Sequence, residues 1–456
     1  MTPQPRLPRP PNRAADPARR TAYDVVLAVD TNAAFANLLL PRLLRERNLN
    51  PTDSAFTTEV CYGALRWQGV IDDIVAAAAR RPVAALDPPI RAVLRLGAYQ
   101  LLHMRVPAHA AVDSSVDLIR QVAGHRTTGL VNAVLRAIAK RDFTGWVQEC
   151  APDDDLGRRA FECGYPRWIA AAFLDALGGD ISEMTAAMRA DRPVTHLVAR
   201  PGRISRDTLL ATAGAGAEAG PWSPYAVRLS AGGDPGTLPP VRDGRAAVQD
   251  EGSQLVGAAL ARAVTPGRDR WWLDMCAGPG GKAALLAGLA GEARLIAADT
   301  QPHRAQLVSE ALRTTNAATL VTDGTRPGWS EHSFDRVLLD APCSGLGALR
   351  RRPEVRWRRQ EPDVERLHHL QVALLRSAVA AVRPRGVVAY VTCSPHRRET
   401  RDVVATVLSD TPRLQLEDVR PLLGAVPDLG AGPDAQLWPH RHGTDAMYIA
   451  LLRYAG

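Results

Sequence analysis

The chain has 456 residues, 46% of them hydrophobic, enough for roughly two to four domains with real cores. Its formal net charge of +8 suits a nucleic-acid partner without requiring one, and Arg supplies nearly all of it, since the only lysines are Lys140 and Lys282. No apolar run could span a bilayer, and the first residues have no apolar stretch of the kind a secretory signal needs, so a cytoplasmic protein is expected.

The opening stretch, residues 1–15, is rich in Pro and Arg and reads as a disordered arm. Residues 16–144 read as an all-α domain. Asp87 stands before Pro88 and Pro89 as a helix start, with Ile90, Val93, Leu94 and Leu101 at helical spacings. Val112, Val116 and Ile119 mark the next helix, which Gly124 closes; Thr127 or Thr128 can cap another carrying Leu130, Val134 and Ile138. Residues 145–240 read as a small mixed α/β connecting domain, with an apolar helix stopped by Gly178 and Gly179 and a strand at 194–199. From 241 to 456 strands alternate with helices, the strands falling at 271–275, 294–298, 319–322, 335–339 and 386–391. That alternation signals a doubly wound parallel sheet.

The first of these strands runs into Cys276-Ala277-Gly278-Pro279-Gly280-Gly281-Lys282 and then an apolar helix. A Gly-rich turn between strand and helix lets a ligand approach the backbone. A phosphate-binding P-loop is excluded, because its first Gly would fall at Cys276 and its hydroxyl at Ala283. A dinucleotide and S-adenosylmethionine both remain open: Asp299, ending the next strand, could hold the ribose of either. Lys282, at the helix start, could meet a carboxylate or a phosphate.

The six cysteines are nowhere spaced as C-x-x-C, so no metal site is expected and all should be reduced. Cys61, Cys150 and Cys163 read as small buried hydrophobes. Cys343, after Asp340-Ala341-Pro342, and Cys393, in Thr392-Cys393-Ser394-Pro395, each lie just past the carboxyl end of an apolar strand, the ligand-binding edge of such a sheet. Two cysteines and a carboxylate suit methylation at carbon 5 of cytosine. That carbon is a poor nucleophile until a thiolate adds at carbon 6, and Asp340 is placed to polarise the ring nitrogen. A nicotinamide enzyme has no use for this set.

The motifs CAGPGGK, DAPCSGLG and TCSP, in this order, resemble those of the Sun/Fmu group of RNA cytosine carbon-5 methyltransferases. The likeness extends upstream to the stretch from Val248 to Gln254 and downstream from Arg350 to Trp357. In the helical region Val131-Asn132-Ala133-Val134-Leu135-Arg136 resembles the NusB-type RNA-binding domain of bacterial members that act on small-subunit ribosomal RNA. The resemblance implies a NusB-like bundle followed by a Rossmann-like class I methyltransferase domain. It implies that residues 276–282, Asp299, Asp323 and Asp340 bind S-adenosylmethionine, that Cys393 is the nucleophile, and that Cys343 assists release. Near the C-terminus Thr444-Asp445-Ala446-Met447-Tyr448 stands where members commonly read T-D-G-F-F, so Ala replaces a permissive Gly and Met an aromatic.

Arg350, Arg351, Arg352, Arg356, Arg358 and Arg359 flank Trp357, a pattern suited to RNA backbone contact and base stacking. His440 and His442 read as surface residues. The expected protein is a monomer that methylates small-subunit ribosomal RNA. The alternatives are a transfer-RNA methyltransferase of the same chemistry and an assembly factor that holds RNA without catalysis.

Overall fold

The computed structural model describes residues 16–190, 192–230 and 233–455; the expected disordered arm, 1–15, lies outside the described residues. The chain divides into two compact units. One runs through Ala170 and includes Arg351–Arg358; the other comprises Ala171–Arg350 and the residues from Arg359 onward.

The first unit is helical. Its bundle is built from Pro17–Asn32, Ala36–Glu46, Pro51–Arg66, Gln68–Ala79, Pro88–His103, Ala108–Ala123 and Thr128–Ile138. Pro at the first turn starts three of these helices, where its missing N–H costs nothing. Gly124, at φ +81°, closes Ala108–Ala123 as its position suggests. Asp87 and Thr127 occupy N-cap positions, but neither side chain makes a capping bond. Instead Thr127 Oγ1 donates to Gly124 O at 3.0 Å. Packing therefore does most of the holding. Val25, Ile71, Leu94, Ile119 and Leu135 are all buried in one cluster, and each such burial is worth about 2 kcal/mol. The same cluster takes in Trp146, Val147 and Phe161, so the helical core continues past residue 144 into Phe143–Cys150 and Asp155–Glu162.

The second unit holds two sheets. The smaller has strands β1 (Thr195–Ala199), β2 (Ala217–Ala219), β3 (Ala226–Leu229) and β4 (Ala246–Val248), all antiparallel, in the order β2-β3-β1-β4. The helix Glu251–Arg262 follows directly, its first turn capped by the Asp250 carboxylate. His196 Nδ1 of β1 accepts from Glu251 N at 3.0 Å, which ties this sheet to that helix.

The larger sheet has eight strands: β5 (Trp271–Asp274), β6 (Arg294–Asp299), β7 (Ala317–Val321), β8 (Phe334–Asp340), β9 (Val382–Thr392), β10 (Leu414–Glu417), β11 (Ala435–Gln436) and β12 (Tyr448–Tyr454). The order is β7-β6-β5-β8-β9-β12-β10, with β11 beside β12. Pairing is parallel from β7 to β9, where helices cross between strands, as the alternation in the sequence suggests. At the other edge β12 pairs antiparallel with β9, β10 and β11, so the sheet is mixed rather than wholly parallel. No crossover helix of useful length separates β10 from β12, so the chain returns in the opposite sense. Leu255, Val256, Leu286 and Val308 pack on one face; Leu375, Val403 and Val407 pack on the other.

Strand order reverses between β5 and β8. In such sheets the crevice beyond the carboxyl ends of those strands is the ligand site. Among the described residues no helix is long and apolar enough to cross a membrane.

Candidate active site

The crevice is framed first by the turn from Met275 to Gly280, between β5 and the helix Gly281–Leu289. Met275 N donates to Leu338 O at 2.9 Å and Ala277 N to Ala298 O at 2.8 Å, which pins the turn to both neighbouring strands. Two glycines are required by geometry. A Cβ on Gly278 would lie 2.4 Å from Asp299 Oδ2, and Gly280 sits at φ +107°. The Cys276 thiol is pushed above its ordinary range by burial and then by the charges of Asp274, Asp340 and Asp299.

Three carboxyls surround this turn. Asp299, at the end of β6, accepts from Gly278 N at 3.0 Å and from Gln301 N at 2.9 Å. Asp340 ends β8 and accepts from Lys282 Nζ at 2.8 Å. Burial alone would lower the Lys282 amine, but the charge and hydrogen bond of Asp340, with Cys393 and Asp274, raise it, so it is held protonated. Asp274, ending β5, was not singled out from the sequence. It is fully buried, and neither oxygen meets a donor at normal geometry; only the Cys276 amide approaches. Burial and then the Asp340 charge push its carboxyl up to about 8, against the pull of Lys282. Asp323, beyond β7, is exposed and accepts from the Thr325 amide at 2.9 Å, the bond that chiefly holds its carboxyl low.

The two cysteines meet. β8 and β9 are parallel neighbours with Asp340 beside Val391, so the turns that follow them face one another. Cys343 Sγ lies 3.3 Å from Cys393 Sγ, too far for a disulfide, and neither sulfur is in one. The Cys343 thiol is raised well above its usual range by its hydrogen bond with Cys393, then by burial and the neighbouring charges. A backbone bond from Gly347 N to Cys393 O, 2.9 Å, closes the pair of turns. A Cβ on Gly347 would lie 2.1 Å from Ala446 O, so the turn admits only Gly there. Ala446 is accommodated: it is buried, with its N–H on Gly347 O at 3.0 Å.

The Arg-rich stretch is not the open basic surface its composition suggests. Arg350 is buried, with Nε on Asp445 Oδ1 at 2.9 Å and Nη2 on Gly443 O at 2.9 Å. Among the described residues Arg356 is the largest fully buried side chain. It stacks 3.7 Å over the Tyr165 ring, bonding Tyr165 Oη at 2.9 Å and Gly164 O at 3.0 Å. Trp357 donates to Arg66 O at 3.0 Å and lies against Gly69. Arg358 donates to Ala33 O and Ala34 O. A planar guanidinium with five donors can satisfy several carbonyls at once and stack on a ring, which lets Arg be buried where Lys could not. Arg351 is half-buried and Arg352 exposed. His442 is likewise internal: buried, it accepts from Trp438 N at 2.8 Å, and burial lowers its pKa. His440 pairs with Glu183 at 2.8 Å.

A Rossmann-like sheet with a Gly-rich turn at its switch point, preceded in the chain by a separate helical bundle, is matched by family models for a methyltransferase domain and for an N-terminal NusB-type domain. The family model for 16S rRNA methyltransferase RsmB/F matches residues 261–453, and that of the NusB family matches residues 16–140. The chain is 51% identical to the putative methyltransferase Rv1407 of Mycobacterium tuberculosis over 99% of both chains. It is 30% identical to the probable ribosomal RNA small subunit methyltransferase B of Bacillus subtilis, over 96% of this chain and 99% of that one. The crystal structure of PH0851 superposes with a TM-score of 0.83 at 22% identity, covering 96% of this chain and 99% of that one, and shares the fold. The chain belongs to the RsmB/F family and is an RNA methyltransferase.

Proposed function

We propose that this protein transfers a methyl group from S-adenosylmethionine to carbon 5 of a cytosine in small-subunit ribosomal RNA, with Cys393 as nucleophile. The observation that carries this reading is the pair of sulfurs 3.3 Å apart, not joined in a disulfide, past the ends of β8 and β9, beside the Lys282–Asp340 pair. The relatives named for small-subunit ribosomal RNA support the target. We assign RNA binding to the NusB-type helical unit, whose core runs from residue 16 into Asp155–Glu162, and the chemistry to the domain from 241.

The residues present fit the cofactor. Gly278 and Gly280 leave the backbone bare, and the orphaned, buried Asp274 carboxyl, with Asp299 and Asp340 close by, suits a ligand carrying positive charge. The residues 276–282, Asp299, Asp323 and Asp340 would hold it. When bound, it supplies a methyl group activated on a sulfonium sulfur.

The chain's own groups then do the following. The protonated Lys282 amine favours the thiolate of Cys393, whose sulfur forms a bond to carbon 6 of a cytosine swung out of its stack. The carbon 5–carbon 6 π pair moves toward the ring nitrogen, which takes a proton from the Lys282 ammonium by way of Asp340 and gives it back when the double bond re-forms. Carbon 5 takes the methyl. Cys343, its own proton first passed to solvent, then accepts the carbon 5 proton as the thiolate; the double bond re-forms, and the carbon 6–sulfur bond breaks, returning Cys393. The hydrogen bond with Cys393 that chiefly raises the Cys343 thiol is lost once that sulfur is bonded to carbon 6, while burial and the neighbouring charges remain.

The test is bisulfite sequencing of ribosomal RNA from a strain lacking the protein, complemented with wild type, Cys393→Ala or Cys343→Ala. One cytosine should lose its mark and regain it with wild type only, and Cys343→Ala protein should stay covalently attached to RNA. If no ribosomal cytosine changes, the ribosomal target is wrong, and transfer RNA is examined next. Full restoration by Cys393→Ala overturns the covalent mechanism.

A further inference from the structure

The two cysteine-bearing turns share a third group that no motif above includes. Glu399 is fully buried in the short helical turn Arg397–Glu399, behind the cysteines. One carboxylate oxygen, Oε1, accepts from Ser344 N at 2.7 Å and from Gln371 Nε2 at 3.3 Å. The other, Oε2, accepts from Ser344 Oγ at 2.5 Å and Ser394 Oγ at 2.6 Å. Ser344 follows Cys343, and Ser394 follows Cys393, so one side chain grips the residue next to each sulfur. The two serine hydroxyls also touch, at 3.2 Å. Gln371, from the helix Glu361–Ala381, extends the brace by donating to Pro342 O at 2.8 Å, just ahead of Cys343. Tyr390 Oη of β9 donates to the Glu399 carbonyl at 2.7 Å and fixes the turn that carries the carboxylate.

A buried carboxylate is costly unless its lone pairs are filled. Here four donors fill them, and three of the four come from the two serines. Core packing alone has no need of such a group. The need is geometric: the turns come from different strands, and in the proposed reaction both sulfurs must serve one base, one at carbon 6 and one at the carbon 5 proton. A misplacement of about 1 Å can cost on the order of 100-fold in rate.

We propose that Glu399 is a positioning residue that sets the spacing of Cys343 and Cys393. This rests on the two-cysteine reading above for its consequence in catalysis, though not for its geometry. Gln at this position can keep the brace, since its amide oxygen accepts from Ser344 N and its NH2 can donate to both hydroxyls, which then turn. Ala cannot.

The test uses the full chain and phenylarsine oxide, which condenses with two thiols to form two arsenic–sulfur bonds and release water. It therefore captures sulfurs held close but not bonded. Wild type should bind it tightly, and Cys343→Ala should lose that binding. Glu399→Ala should bind it at least 10-fold more weakly, with kcat down about 100-fold and KM for S-adenosylmethionine little changed. Glu399→Gln should restore both arsenical binding and kcat to within about 5-fold of wild type, the margin allowed for a brace that keeps its alignment. Should Glu399→Ala fail to fold, the Ser344→Ala/Ser394→Ala double variant removes two of the four donors, both hydroxyls, and should show the same paired losses. Unchanged arsenical binding and kcat in Glu399→Ala overturn the proposal. So does a Gln variant as impaired as Ala, because the carboxylate's charge rather than its bracing would then be what matters. If arsenical binding follows the pattern but no cytosine is methylated, the bracing stands and the assigned reaction fails.

Discussion

Lys282 Nζ donates to Asp340 Oδ2 at 2.8 Å across the crevice between β5 and β8, joining the Gly-rich turn to the strand that leads to Cys343. The pair is mostly buried, with side chains 12% and 27% exposed. Removing one partner therefore strands the other.

Lys282→Met should lower kcat about 100-fold, the usual cost of losing one preorganised charge at a reacting centre. It should also destabilise the unit by about 3 kcal/mol, because Asp340 is left unpaired. In the Lys282→Met/Asp340→Leu double variant, stability should recover while activity stays lost. Urea unfolding beside methyl-transfer kinetics separates the two; a single variant with full activity removes Lys282 from the mechanism.

Arg356 should behave as a structural anchor. Its guanidinium is buried on Tyr165 and Gly164, so Arg356→Ala should cost the helical unit about 3 kcal/mol, and Arg356→Lys nearly as much. RNA affinity of the protein that remains folded, and its salt dependence, should not change. A fall in the salt slope by about 1 would instead mark a phosphate contact.

What the sequence disclosed follows from what is local. The parallel strands β5 to β9 are mainly apolar runs bounded by turns, and Cys343 and Cys393 follow the ends of β8 and β9, so the crevice is legible in the sequence. The antiparallel edge was not, because β10 and β11 are only four and two residues long and carry no period of their own. Asp274 and Glu399 were hidden for another reason. A carboxyl is ordinarily a surface group, and what distinguishes these two is burial among residues distant in the chain: Asp340 for one, Ser344 and Gln371 for the other. Arg356 and His442 misled in the same way, since residue type predicts exposure on average and their partners are set by the fold.

Gly278→Ala should close the cofactor turn. The added Cβ meets Asp299 Oδ2 at 2.4 Å, so the carboxylate or the turn must move. We expect S-adenosylmethionine binding to weaken at least 10-fold by calorimetry, with a stability loss of about 1–3 kcal/mol. Binding within 2-fold of wild type would mean that the turn does not touch the cofactor.

Asp274 makes the unliganded protein sensitive to alkali. Its carboxyl is pushed up to about 8 in the folded chain, against about 4 for an unfolded Asp. Between those values the folded state holds a proton that the unfolded state has released. The stabilisation is therefore complete below about pH 4 and is lost as pH rises toward about 8, by up to ~1.4 kcal/mol per pH unit. Unfolding curves taken across that window should show the decline, and Asp274→Asn should flatten it. A cationic ligand reverses the preference, because it favours the carboxylate. S-adenosylmethionine should thus bind more tightly as pH rises through the same window, with release of a proton, and Asp274→Asn should bind it weakly at every pH. Proton release measured by calorimetry in buffers of different ionisation enthalpy decides the matter: no release near neutral pH would mean that Asp274 stays neutral in the complex and does not meet the cofactor's charge.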